Sequence, residues 1–325
     1  MLRWSLSNSK GELSMGWFDG FDLHRRDIGA CPVRFRVTTE ADWRRLNHLP
    51  VLVLLHGFPQ THVLWHRVAQ RLRTQFRLVM PDLRGYGESS QELGTHDHAN
   101  YSKRAMAREI IDLLDSLGVG DFFLCGHDRG GRVAHRLALD HSSRVRRLCL
   151  LDIAPTLDMY AATNFEFANA YYHWFHLIQA APIPEAMIGG DPETYLMLKM
   201  KGWGSSGNSF FEPEAMADYL RCFCNPALNE RGWRAAIHSK AEDYRASAGI
   251  DLQHDRESRR RGERLLCDLL VLCGERGVVH QQFDARALWQ SQSQAEVIYR
   301  AVPSGHYIPE ELPDLTAEAL HDFMR

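Results

Sequence analysis

Residues Gly126-His127-Asp128-Arg129-Gly130 put a carboxylate where a nucleophile is expected. They follow an apolar run, Phe122-Phe123-Leu124-Cys125, and precede a helix-like stretch from Gly131 to Leu139. A strand, a G-x-nucleophile-x-G turn and a helix in succession present the central side chain at the top of a sheet. Asp in that slot, rather than Ser or Cys, changes the chemistry. Carboxylate attack on a carbonyl gives an anhydride, a poor route to ester or peptide hydrolysis. Attack on a saturated carbon bearing a leaving group gives a stable alkyl ester on Asp128. The expected substrate is therefore an alkyl halide or an epoxide.

A base must complete the cycle by activating water against that ester. His306, in Gly305-His306-Tyr307 after the last apolar run, is the candidate. Two acids could orient it. Asp152 follows one run in Leu151-Asp152-Ile153-Ala154-Pro155, and Glu275 follows another in Cys273-Gly274-Glu275. Asp152 is preferred; its plainer role would be a helix N-cap. The backbone N–H of Arg129 and that of Phe58, in His56-Gly57-Phe58-Pro59, supply two donors for an oxyanion hole. Arg129 and Arg132 flank the nucleophile, and paired guanidinium groups suit a substrate carboxylate. The plainer reading gives them to core acids such as Glu109 or Asp140.

These side chains need a scaffold. Apolar runs at Val51–Leu55, Phe76–Met80, Phe122–Cys125, Leu148–Leu151, Leu269–Cys273 and Val297–Val302 alternate with helix-like segments. Continuous apolar strands predict a mostly parallel sheet flanked by helices. Ligands bind beyond the carboxyl ends of such strands, where every candidate above falls. With the order nucleophile, acid, His, this predicts the α/β-hydrolase fold. The alternation breaks between Pro155 and Gly249, a stretch rich in aromatics at helical spacing. It predicts a helical cap over 155–250, between core segments 1–154 and 251–325. The arginine-rich run Arg256 to Arg264 reads as a solvated linker from cap to core.

The net charge of −3 gives no argument for nucleic acid or an anionic membrane. No apolar run approaches the roughly 20 residues that span a bilayer. Residues 1–16 read as a flexible extension rather than a leader. Seven cysteines, an odd number within apolar runs, suit reduced thiols of a cytoplasmic protein. Cys222-Phe223-Cys224 lacks a second ligand pair at zinc spacing, so no metal is expected.

The chain resembles the fluoroacetate (haloacetate) dehalogenases from about Phe18 onward. The resemblance rests on His56-Gly57-Phe58-Pro59-Gln60-Thr61-His62, Asp82-Leu83-Arg84-Gly85-Tyr86-Gly87 and Asp97-His98-Ala99-Asn100-Tyr101-Ser102. It continues through Gly126 to Arg132, Leu151 to Thr156, Tyr172-His173-Trp174, Asp243-Tyr244-Arg245-Ala246 and Gly305-His306. It implies a catalytic triad of Asp128, His306 and Asp152, with Arg129 and Arg132 binding the substrate carboxylate. His173, Trp174 and Tyr244 would stabilise the departing halide. It implies no organic or metal cofactor, a small haloacid substrate and a homodimer. The segment between Arg221 and Tyr244 is about seven residues longer than the family pattern, and Asp268 and Cys273 replace a proline and a bulkier apolar residue. An epoxide hydrolase, which would need cap tyrosines such as Tyr171, Tyr172, Tyr219 or Tyr244 as acids, and a non-catalytic binding protein on the same scaffold are the rival expectations.

Overall fold

The interior apolar runs form strands buried on both faces, whereas the last, Val297–Val302, is partly exposed. In the computed structural model, which describes residues 18–29, 31–224 and 233–325, every residue of Val51–Leu55 and Phe122–His127 is buried. The extension expected over residues 1–16 lies outside the described residues, as do residues 225–232 of the lengthened segment before Tyr244.

One sheet holds β1 (Phe21–Ile28), β2 (Cys31–Thr38), β3 (Val51–Leu55), β4 (Arg77–Pro81), β5 (Phe122–His127), β6 (Val145–Leu151), β7 (Asp268–Gly274) and β8 (Val297–Val302). Their spatial order is β1-β2-β4-β3-β5-β6-β7-β8. From β4 through β8 neighbours run parallel, whereas β1 with β2 and β2 with β4 are antiparallel. The six expected strands are all present, within a few residues at their ends. The β1–β2 hairpin was not expected. β1 reads Phe-Asp-Leu-His-Arg-Arg-Asp-Ile and is half exposed, because it is the edge of the sheet. Charged, exposed edges are how sheets avoid further pairing, and they erase the apolar signature.

This is the α/β-hydrolase fold, with a helical cap inserted between β6 and β7. Helices from Thr156–Ala161 to Ile250–Arg260 fill that interval, with no strand among its described residues. The arginine-rich run is not a linker at its start. Arg256 to Arg260 end the helix Ile250–Arg260, and Arg259 Nη1 donates to Asp158 Oδ1 at 2.9 Å. That ion pair ties the last of these helices to the first. No helix among the described residues is long and apolar enough to cross a membrane.

Parallel strands bring their carboxyl ends to one edge. Phe58 follows β3, Asp128 follows β5, Asp152 follows β6, and His306 follows β8. The helices between β6 and β7 carry His173, Trp174 and Tyr244.

Candidate active site

The turn after β5 is strained, and glycines permit it. Asp128 sits at φ 46° and ψ −114°, between β5 and the helix Arg129–Asp140. Such backbone costs on the order of 1–3 kcal/mol for a residue with a side chain and persists only where its surroundings enforce it. A Cβ on Gly126 would lie 2.5 Å from the Gly130 carbonyl oxygen, and one on Gly57 would lie 2.6 Å from Asp128 Cβ. The chain can turn this tightly, and pass this close to the carboxylate, only without those side chains.

Asp128 Oδ2 accepts the Phe58 N–H at 2.9 Å. Oδ1 takes no hydrogen bond among the described residues. Arg129 opens the following helix, where a backbone N–H has no intrahelical acceptor. Burial disfavours the charged carboxylate, but the charges of His306 and Arg129 outweigh it and hold Asp128 below its ordinary pKa.

The carboxylate of Asp152, not that of Glu275, meets His306. Asp152 Oδ2 lies 2.6 Å from His306 Nδ1, and its Oδ1 accepts the Gly274 N–H at 3.1 Å. Glu275 is exposed. Burial lowers the His306 pKa, yet the hydrogen bond and charge of Asp152, with the charge of Asp128, raise it above 6.5 in balance. The His306 backbone is held on two sides. Its carbonyl accepts the His127 Nε2–H at 2.8 Å, and its N–H donates to the Trp203 carbonyl at 3.1 Å.

The two arginines are buried but differently occupied. Arg129 gives Nε to Asp243 Oδ2 and Nη2 to Asp243 Oδ1, both at 2.8 Å, which leaves Nη1 without a partner. Neither Glu109 nor Asp140 takes it; Glu109 pairs with Arg84 and Asp140 with Arg104 and Arg136. Arg132 has no carboxylate within ion-pair distance among the described residues. Its Nη1 donates to the Ala154 carbonyl and Thr156 Oγ1, and its Nε is unpartnered. Each guanidinium thus offers one unpartnered nitrogen, Nη1 of Arg129 and Nε of Arg132.

The aromatic residues expected from the family resemblance gather over this floor. Phe58 stacks on His173 at 5.7 Å and meets Tyr244 edge-on at 5.4 Å. Tyr244 covers the Arg129 guanidinium at 4.1 Å, and Trp174 covers that of Arg132 at 4.6 Å. His173 Nδ1, Trp174 Nε1 and Tyr244 Oη are buried without hydrogen-bond partners. Burial drives the His173 pKa well below its ordinary value, so its ring is neutral and carries one N–H. Of the other tyrosines, Tyr171 is buried against His173 at 5.3 Å, Tyr172 is half exposed, and Tyr219 donates its hydroxyl to Glu310 at 2.9 Å.

Three positioning residues escaped the sequence reading. His127 occupied the variable slot of the turn motif and carried no assigned task. Asp243 belonged to a matched motif but carried no assigned task. Trp203, whose ring lies 5.1 Å from His306 and 4.7 Å from His173, counted only as one more aromatic of the stretch between Pro155 and Gly249. Its positive φ of 58° was not legible there.

The pattern of the alpha/beta hydrolase fold family matches residues 50–311. The chain is similar to a fluoroacetate dehalogenase from a Burkholderia species, at 39% identity over 94% of this chain and 95% of that protein. It is also similar to a soluble epoxide hydrolase from Corynebacterium sp. strain C12, at 30% identity over 84% of this chain and 89% of that protein. Among solved structures, a protein from Nostoc sp. PCC 7120 described as an α/β hydrolase has a TM-score of 0.86 at 42% identity, covering 95% of this chain and 99% of its own.

Proposed function

We propose, from the premise that this chain belongs to the α/β-hydrolase fold family and within it to the haloacetate dehalogenases, that it hydrolyses 2-haloacetates to glycolate and halide. The observation that carries the proposal is Arg132, a buried guanidinium that feels the Asp128 charge but has no carboxylate within ion-pair distance among the described residues. A buried cation is costly unless an anion joins it. A substrate carboxylate fits there, accepting Arg132 Nε–H and Arg129 Nη1–H, with its α-carbon toward Asp128.

Asp128 Oδ1 forms the C–O bond while the C–X bond breaks and the halide leaves with the bonding pair. In-line attack on a held carbon draws its advantage from proximity. The leaving halide takes hydrogen bonds from the unpartnered donors on His173, Trp174 and Tyr244. Water then attacks Cγ of Asp128 and gives a proton to His306, which Asp152 orients. The oxyanion on Oδ2 meets the N–H groups of Phe58 and Arg129. Collapse releases glycolate, whose hydroxyl receives the proton.

The test is parallel measurement of fluoride and chloride release from fluoroacetate and chloroacetate. Removing one donor with Tyr244→Phe should cost more for fluoride than for chloride, because fluoride needs more hydrogen bonding to depart. A hydrogen bond to a charged acceptor is worth about 1.5–3 kcal/mol, roughly 10- to 100-fold in rate. Equal losses for both halides would remove Tyr244 from the halide pocket.

A second expected result concerns Asp243, which fixes the nitrogen that Arg129 offers. Asp243→Asn should lower kcat/KM on the order of 10- to 100-fold by misplacing that nitrogen, mainly through KM. A fall in kcat alone would contradict a carboxylate-binding role for Arg129.

An epoxide reading retains support from Tyr171 and Tyr244, both buried and both within reach of the Asp128 charge. The Corynebacterium relative is named as an epoxide hydrolase. Styrene oxide turnover without halide release from either haloacetate would favour it. Arg132 gives a neutral epoxide nothing to bind.

A further inference from the structure

Lys199 is another buried cation without an acid. It lies on the helix Pro192–Met200 and is 6% exposed. Its Nζ sits 3.7 Å from the ring centre of Tyr172, 5.7 Å from Tyr195 and 5.5 Å from Trp203. No carboxylate lies within ion-pair distance among the described residues. Burial lowers its pKa to about 8, and no acid opposes that fall. The titratable groups that feel it are two imidazoles, His173 and His176. Both ring nitrogens of His176 and Nδ1 of His173 lack partners. Glu185, the acid whose charge acts on His176, is engaged by Arg245 and His238.

One close cation–π contact offsets only part of the cost of drying an ammonium group. A helix that needed only packing here would be better served by Leu or Met. The position is informative as well. Tyr172, on one side of the ammonium, is half exposed. Trp203, on the other, touches both His173 and His306. Lys199 therefore stands between the protein surface and the site around Asp128.

We propose that Lys199, with the unpartnered His176 and the rings of Tyr172 and Trp203, forms a transit site for small monovalent anions outside the reaction site. The incoming haloacetate carboxylate and the departing halide share the needed chemistry. The proposal rests on the dehalogenase reading for what passes through, but not for whether an anion binds.

Bromide is the probe, read by quenching of tryptophan fluorescence. Wild type should show a saturable component that Trp203→Phe removes. Lys199→Met and Lys199→Gln should lose that component. Lys199→Arg should keep it, as should Tyr244→Phe, which alters only the inner pocket. Bromide curves for Lys199→Met and Lys199→Gln that superimpose on wild type would overturn the proposal, as would a wild type without saturable quenching. Chloroacetate kinetics separate the two sources. Loss of carboxylate capture should lower kcat/KM about tenfold with kcat kept. Slower halide escape should lower kcat instead and leave single-turnover ester formation unchanged. Should wild type release no halide at all, the dehalogenase reading fails while the bromide titration still decides on Lys199.

Discussion

Asp128→Ala is expected to abolish halide release from fluoroacetate and chloroacetate alike, a loss of about 10⁴-fold or more. The size follows from what remains. Arg129, Arg132 and the halide donors would still bind substrate, but the carbon would face a methyl group. Water in its place would be uncharged and unheld, and His306 is oriented by Asp152 toward a different task. The variant should therefore retain chloroacetate binding, measured by calorimetry, while losing turnover. It should also fold. The buried carboxylate accepts a single hydrogen bond, from Phe58 N–H, and although Ala suits this positive φ less well than Asp, the cost is small beside the stability of a domain of this size. Halide release at near wild-type rate would remove the covalent mechanism and leave the triad geometry without a purpose. Retained turnover of styrene oxide would do the same to the epoxide alternative, since both begin with the same oxygen.

Legibility in the sequence followed burial on two faces. β3, β5 and β7 are interior strands covered by helices, so their residues are apolar in unbroken runs. Their ends could be read to within two residues. β1 pairs on one side only and carries Asp22, His24, Arg25, Arg26 and Asp27, a pattern shared with solvated loops. The same contrast divides the site. Asp128, Asp152 and His306 stand where chemistry-bearing residues interrupt apolar strands, so type and position announce them together. The free edge of Arg129 depends instead on Asp243, more than one hundred residues away in sequence. Asp243 is also held by Lys103 and by Tyr86 Oη at 2.7 Å, a network that no local spacing encodes. Trp203 acts through a backbone carbonyl, which every residue has, so its side chain gave no signal. Buried ion pairs and backbone contacts between distant segments are properties of the assembled molecule.

His306→Asn is expected to stop the cycle halfway. Alkylation needs the Asp128 carboxylate ionised; the variant loses the His306 charge that helps hold its pKa down but keeps those of Arg129 and Arg132, so near neutral pH that step should proceed without the imidazole. Ester hydrolysis needs a base for water, and Asn supplies none. General base catalysis contributes about 10²–10⁴-fold. Ester formation should then outrun its breakdown. Intact-protein mass spectrometry after chloroacetate should show one added carboxymethyl group, and peptide mapping should place it on Asp128. One equivalent of chloride should appear in a burst, followed by near silence. The wild-type pH dependence tests the same step. Asp152 and Asp128 raise the His306 pKa above 6.5, so protonation removes the base as pH falls. Steady-state turnover should decline on the acid side of a midpoint above 6.5, while the single-turnover burst stays level through that range. A burst that declines with the steady state would make alkylation, not hydrolysis, the step that needs His306. Unmodified Asp128 in a chloride-releasing His306→Asn protein would show that no ester forms. Direct displacement by water would then be the remaining route, and Asp128 would serve as its base.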